Sequence, residues 1–255
     1  MKHLKTMTTF CMVAATLHPC CVRAQSAGSF VTTLGASWLD FPNSKSQPIV
    51  SSSVFGTFTS PGTNTVVHNA VMPSMLFTYF ITDHLAVEGA VAVPPKLEVG
   101  AQGNVAAFGV GGPVLPLGEI QPLFTVRAWA PIVVAKYYFG GAENKIRPFL
   151  GVGVNYSWFR SVQLNPLFSG ALSQLAGPGG SVEASLSSSW NPVLEAGWAY
   201  RINVRWMLTG SMTWFPLKTN ASFNAVNANG QVVLSNRTRM SAAPLIVNVG
   251  VGYEF

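Results

Sequence analysis

The segment Val247-Asn248-Val249-Gly250-Val251-Gly252-Tyr253-Glu254-Phe255 alternates bulky apolar residues with small or polar ones and runs into an aromatic. Successive side chains of a strand point to opposite faces, so this segment has one greasy face and one small, polar face. Such a strand suits a sheet closed on itself in a bilayer, with hydrocarbon on one side and a lumen on the other. Eight segments share the two-residue period: 29–39, 70–81, 84–93, 126–139, 146–159, 188–200, 205–215 and 243–255. Each approaches the roughly 9–11 residues that a tilted strand needs to cross the hydrocarbon.

Composition agrees. Charged residues are 9% of the chain, against about 25% in ordinary soluble domains. No uninterrupted apolar run reaches the roughly 18 residues of a spanning helix. The longest candidate, Ala128 to Ala135, contains Pro131 and is bracketed by Arg127 and Lys136. A soluble barrel or sandwich would need charged outward faces, which these strands lack. The expected fold is therefore all-β, an eight-stranded antiparallel transmembrane β-barrel.

The first 24 residues read as an export signal rather than structure. Lys2 and Lys5 make a basic start, Phe10 to Leu17 is a modest apolar stretch, and Val22-Arg23-Ala24 offers a small-x-small cleavage site before Gln25. The expected division is a signal peptide over 1–24 and one barrel domain over 25–255. Cys11, Cys20 and Cys21 all fall in the leader, so a mature chain would have no thiol for disulfides, metal or catalysis. Losing Lys2, Lys5 and Arg23 would take the net charge from +6 to +3. That mild excess, without a basic cluster in sequence, gives no case for nucleic acid.

Connections alternate in length. Short ones fall at Thr82-Asp83, Gly140 to Lys145 and Arg201 to Val204, and long ones at about 40–69, 94–125, 160–187 and 216–242. Short periplasmic turns and long external loops are the barrel pattern, with both ends of the barrel segment on the periplasmic side. Parity then assigns faces. Trp206, Leu208, Met212 and Trp214 point to lipid, and Thr209, Ser211 and Thr213 to the lumen; Asn248, Gly250, Gly252 and Glu254 point inward in the last strand. Tyr79, Tyr137, Tyr156, Trp158, Trp198, Tyr200, Trp206 and Tyr253 fall near strand ends on outward faces, as interfacial girdles do.

The sequence resembles the OmpW family of small outer-membrane barrels. The likeness is carried by Lys136-Tyr137-Tyr138-Phe139-Gly140, Arg147-Pro148-Phe149-Leu150-Gly151-Val152-Gly153-Val154-Asn155-Tyr156, Trp190, Gly197-Trp198-Ala199-Tyr200, Asn203, Trp206 and the closing Gly250 to Phe255, with the hairpin Thr78 to Glu88. It implies a narrow apolar lumen in the Gram-negative outer membrane and passive uptake of small hydrophobic molecules. It also implies outer-membrane lipids, hydrophobic solutes and, through the Phe255 strand, the barrel-assembly machinery as partners. The long loops depart from the family, and Trp129-Ala130-Pro131 stands where a Leu-Pro-Pro run is more usual. Those departures bear on the ligand rather than the fold.

Eight strands enclose an interior that side chains nearly fill, which excludes a wide aqueous pore. Parity points Glu88, Lys136 and Glu195 inward at one level above the periplasmic end. Isolated buried charges are costly, so the three are expected to pair as a polar plug. Filling the barrel and fixing strand register is the preferred reading of them over a direct transport role. Higher up, Ala90, Ala92, Ile132, Gly153, Thr213 and Ile246 would line a drier channel. Lateral escape between strands into the bilayer would then let an apolar solute leave above the plug. Phe108, Val114, Leu115, Leu117 and Ile120, with Leu164, Leu167, Phe168, Leu172 and Leu175 near one helical face, could form an apolar funnel over the mouth; self-packing of the loops accounts for them equally.

No catalytic or cofactor site is expected. His68 and His84 belong to opposite ends of a barrel, away from any Ser–carboxylate pair, and two separated His with no Cys make no metal site. The glycine runs 109–112 and 177–180 lack the strand-to-helix context of a phosphate cradle. The alternative function is a closed barrel whose external loops serve as a receptor or adhesion site.

Overall fold

The computed structural model describes residues 25–109 and 111–255; the expected leader lies outside them. The chain closes as eight antiparallel strands: β1 (Phe30–Asp40), β2 (Ala70–Phe80), β3 (Leu85–Ala92), β4 (Ile132–Tyr138), β5 (Ile146–Leu164), β6 (Ser189–Arg201), β7 (Trp206–Trp214) and β8 (Leu245–Glu254). Neighbours run β4-β3-β2-β1-β8-β7-β6-β5, and β5 returns to β4. Buried and exposed residues alternate along the strands, the inward set mixing polar, small and some large apolar side chains such as Met207, Phe149 and Ile246. In β8, Ile246, Asn248, Gly250, Gly252 and Glu254 are buried while Val249 and Val251 are exposed. Among the described residues no helix is long and apolar enough to cross a membrane.

The β1–β8 seam joins the chain ends through ten register pairs, from Val31↔Glu254 to Asp40↔Leu245. At Gly210 the wall has no side chain of its own, and the Trp198 ring covers it from the next strand. A Cβ there would stand 2.8 Å from the ring. Trp198 and Trp206, with Tyr79 and Tyr137, form the lower girdle. Trp38, Trp129, Trp190 and Trp214 mark the upper one.

Two sequence expectations change here. The fourth segment, 126–139, is not one strand. It breaks at Ala130–Pro131 into Phe124–Trp129 and β4. Pro131 has no N–H for the ladder and the strand lapses there, whereas Pro73, Pro148 and Pro192 stay inside paired strands. The four long connections are not loops either. Above the membrane, Asn64–Val67, Lys96–Gln102, Phe124–Trp129 and the top of β5 pair in succession. Ser181–Leu186, Leu217–Val226, Val232–Ala242, Ile49–Ser53 and Gly56–Ser60 pair in a second sheet.

Alternation holds in this extension with a different outer face. Leu97, Val99, Val126, Ala221, Phe223 and Leu234 are buried, whereas Lys96, Glu98, Lys218, Asn220 and Arg237 are exposed. The lower belt thus faces hydrocarbon, and the extension faces water. Helix α1 (Pro166–Ala176) caps the top, with Pro166 in its first turn and the Asn165 side chain accepting from the Leu167 N–H at 3.0 Å.

Candidate functional site

The lumen is divided into levels by what each strand turns inward. Near the bottom, the tilted rings of Phe80, Tyr138 and Phe149 pack together, with Tyr138 4.9 Å from each of the other two. Beneath them the buried Arg147 lies 5.2 Å from the Tyr138 ring and donates to the Gln25 carbonyl at 2.9 Å, and also to the carbonyls of Asp83 and Gly140. Sequence reasoning noted Arg147 only as part of a family motif. Its parity with the inward Gly153 was the available signal.

Above the rings, Lys136 Nζ lies 2.6 Å from Glu88 Oε1 and 3.0 Å from Glu195 Oε1. The three come from β4, β3 and β6 and meet across the lumen. Thr78 Oγ1 donates to Glu88 Oε2 at 2.7 Å, and Lys136 also sits 4.3 Å from the centre of the Phe149 ring. Lys136 is 1% exposed, so its charge depends on these partners. The free space at this level is about 10 Å³, about one water-sized sphere. The barrel is closed below.

Over the cluster opens a cavity of about 230 Å³. Ala90, Ala92, Ile132, Thr213 and Ile246 all line it, with Leu39, Met72 and Phe215 higher up. Besides Glu88 and Glu195 at its floor, its polar lining includes Asn248, which donates to Ser37 Oγ at 2.8 Å and Ser74 Oγ at 2.6 Å.

The wall of this cavity is interrupted. Pairing between β3 and β4 ends at Ala90↔Ile132. It resumes at Lys96↔Arg127, after Ala128 N–H donates to the Pro95 carbonyl at 3.3 Å. Between these points Val91, Ala92, Pro94 and Pro95 face Trp129, Ala130 and Pro131, and all line the cavity. Three prolines in so few positions remove the donors that would zip the gap. The exposed acceptor this leaves, the Pro131 carbonyl, receives Asn155 Nδ2 at 3.1 Å and the Tyr156 N–H at 3.3 Å from β5. Asn155 is fully buried and, like Arg147, was noted in the sequence only as part of the family motif. On the other side of the break the wall is continuous, because β5 pairs with both halves of the broken strand.

The residues expected to form a funnel over the mouth divide: Phe108, Val114, Leu115, Leu117, Phe168, Leu172 and Leu175 line one apolar cavity, and Ile120, Leu164 and Leu167 do not. Along Phe124–Trp129, Ala128 lines the lumen cavity, while Val126 and Phe124 lie buried above it and line neither space. Only beyond them, at Leu123, does a second cavity of about 200 Å³ begin. Phe108, Leu115, Leu117 and Phe168 line it, and Phe223 packs on Phe124 at 5.4 Å and on Phe168 at 5.6 Å. Leu164 packs against the core beneath rather than lining the space. Leu167 is 69% exposed, because the buried stripe of α1 is Phe168, Leu172 and Ala176. A packed apolar roof therefore separates the two cavities.

His68 Nδ1 contacts the Glu98 carbonyl at 3.2 Å, and His84 Nδ1 the Tyr138 carbonyl at 3.0 Å, at opposite ends of the molecule. Among the described residues no group of His, Cys, Asp or Glu is placed to hold a metal.

Comparison with known proteins places this architecture. The OmpW family matches residues 26–255. Outer membrane protein W of Escherichia coli (strain K12) is 25% identical over 252 residues, covering 99% of this chain and 100% of that one. A Pseudomonas aeruginosa protein named dibenzothiophene metabolism operon protein PahQ is 26% identical over 186 residues, covering 70% of this chain and 69% of its own. Among solved structures, the outer membrane protein OprG from Pseudomonas aeruginosa superposes with a TM-score of 0.72 at 23% identity, covering 92% of this chain and 99% of that one.

Proposed function

This chain belongs to the OmpW family and is a protein of the bacterial outer membrane, and from that premise we propose that it is a passive conduit for small apolar solutes that leave its lumen sideways. The observation that carries this reading is the gap between β3 and β4. The 230 Å³ cavity has a salt-bridged floor and a packed roof, and its apolar wall is unzipped toward lipid. An apolar solute gains nothing by crossing the Glu88–Lys136–Glu195 cluster, where it would displace charge-assisted contacts. Moving from the cavity to hydrocarbon costs it almost nothing. The outer 200 Å³ cavity serves as the receiving site, and the Phe124–Phe223 layer must shift to pass the solute inward. The relative named for dibenzothiophene metabolism supports an aromatic, uncharged cargo.

Liposomes carrying the protein should take up dibenzothiophene faster than protein-free liposomes, with no gain for a sulfonated derivative of similar size. Equal rates with and without protein would sink the conduit. The packed roof favours one competing reading, a closed barrel whose external sheets form a receptor or adhesion surface; in that case uptake is unchanged.

No catalytic role is assigned. We further propose that the leader is removed after Ala24. The Gln25 nitrogen lies 3.1 and 3.0 Å from the two Glu254 carboxylate oxygens, so cleavage would turn this contact into an ammonium–carboxylate pair at the floor. The intact mass of purified protein should begin at Gln25; a start several residues later would refute it. Phe255, 72% exposed at the end of β8, is the residue proposed to engage the barrel-assembly machinery.

A further inference from the structure

Directly above the wall gap, three cations stand side by side. Lys96 is opposite Arg127 across one strand pair, and Arg127 is opposite Arg160 across the next. All three are exposed, and register partners in an antiparallel pair share a face with Cβ atoms about 5 Å apart. Like charges directly opposite destabilise a sheet, and here two such pairs adjoin. Among the described residues none of the three makes an ion pair. Glu98 stands two residues further up on the same exposed face, opposite Thr125, and makes no ion pair with them.

Their height is fixed by what lies below. Two residues down each strand, Trp129 and Trp158 stack with ring centres 5.7 Å apart and planes 5° off parallel. Tyr156 and Trp190 continue this girdle at 4.7 Å. Below it Val133, Val154, Val152 and Leu150 are exposed on the lipid face. Stacked tryptophans over an apolar belt mark the interface, so the cations sit at the outer head-group level. The cation row therefore stands at the lower edge of the water-facing extension, level with the phosphates of that leaflet.

We propose that Lys96, Arg127 and Arg160 bind the phosphate groups of a phosphorylated outer-leaflet glycolipid, whose acyl chains lie along Trp129 and Trp158 across the gap between β3 and β4. Two guanidinium forks and an ammonium supply the donors that a phosphate monoester accepts. A lipid held there covers the lateral opening, and a solute leaving the lumen must displace its chains. The site stands whether or not the lumen conducts.

The test is native mass spectrometry of the full mature protein with bisphosphorylated lipid A. The wild type should retain one lipid. K96Q/R127Q/R160Q should bind at least about tenfold more weakly, since each cation near an anionic head group contributes on the order of 1 kcal/mol. R127K/R160K should retain most of the binding, and K218Q/R239Q, on the opposite sheet, all of it. Heat-dependent gel mobility checks that each variant folds. Undiminished lipid A on the folded triple variant overturns the proposal. So does equal retention of fully dephosphorylated lipid A, or displacement by millimolar inorganic phosphate, which would make this a site for the free ion.

Discussion

Replacing Lys136 with methionine is expected to destabilise the barrel by about 3–5 kcal/mol, the usual cost of leaving buried charge without its partner. Lys136 Nζ is the shared contact of two carboxyl groups, at 2.6 and 3.0 Å. Methionine removes the donor and leaves Glu88 and Glu195 without their cation, between about 10 Å³ of free space below and the largely apolar 230 Å³ cavity that both line above. The urea midpoint for unfolding in detergent micelles should fall sharply. The matched variant E88Q/K136M/E195Q should recover most of the loss, because an all-neutral core of similar volume is often as stable as the ionic one. A single K136M variant with wild-type stability would show that the cluster is hydrated and does not hold the floor together.

Ala92→Trp and Ala130→Trp should each cut the uptake of an apolar tracer by about tenfold or more while leaving the barrel folded. Both alanines line the lumen cavity at the gap, on β3 and on the break before β4. An indole there fills much of the 230 Å³, and overpacking typically costs about 1–3 kcal/mol, roughly a 5- to 150-fold effect, with tenfold reached at about 1.4 kcal/mol. Phe124→Ala, in the roof, should act oppositely and speed uptake if passage through the roof is limiting. Unchanged uptake in both tryptophan variants would remove the gap from the path.

The alternation of period two was enough to find all eight spanning strands, most to within one or two residues, because lipid on one side and a narrow lumen on the other impose opposite demands on neighbouring side chains. The same parity placed Glu88, Lys136 and Glu195 inward at one height. It also contained Arg147 and Asn155, whose roles are invisible in sequence. One depends on carbonyls from three separate turns and the other on the carbonyl of a proline 24 residues away. The extension escaped for a physical reason. Its strands face water outside, so Lys96-Leu97-Glu98-Val99 and Lys218 to Ala225 read as ordinary loops, short and rich in polar residues.

What the sequence determined by itself is the spanning barrel, its faces and its polar floor, since each follows from neighbours along one strand. The roof, the wall gap and the row Lys96–Arg127–Arg160 were decided by tertiary structure. Each is a register between strands distant in the chain, and register is set by where prolines interrupt the ladder and where the external sheets lock together. Local alternation carries no information about that.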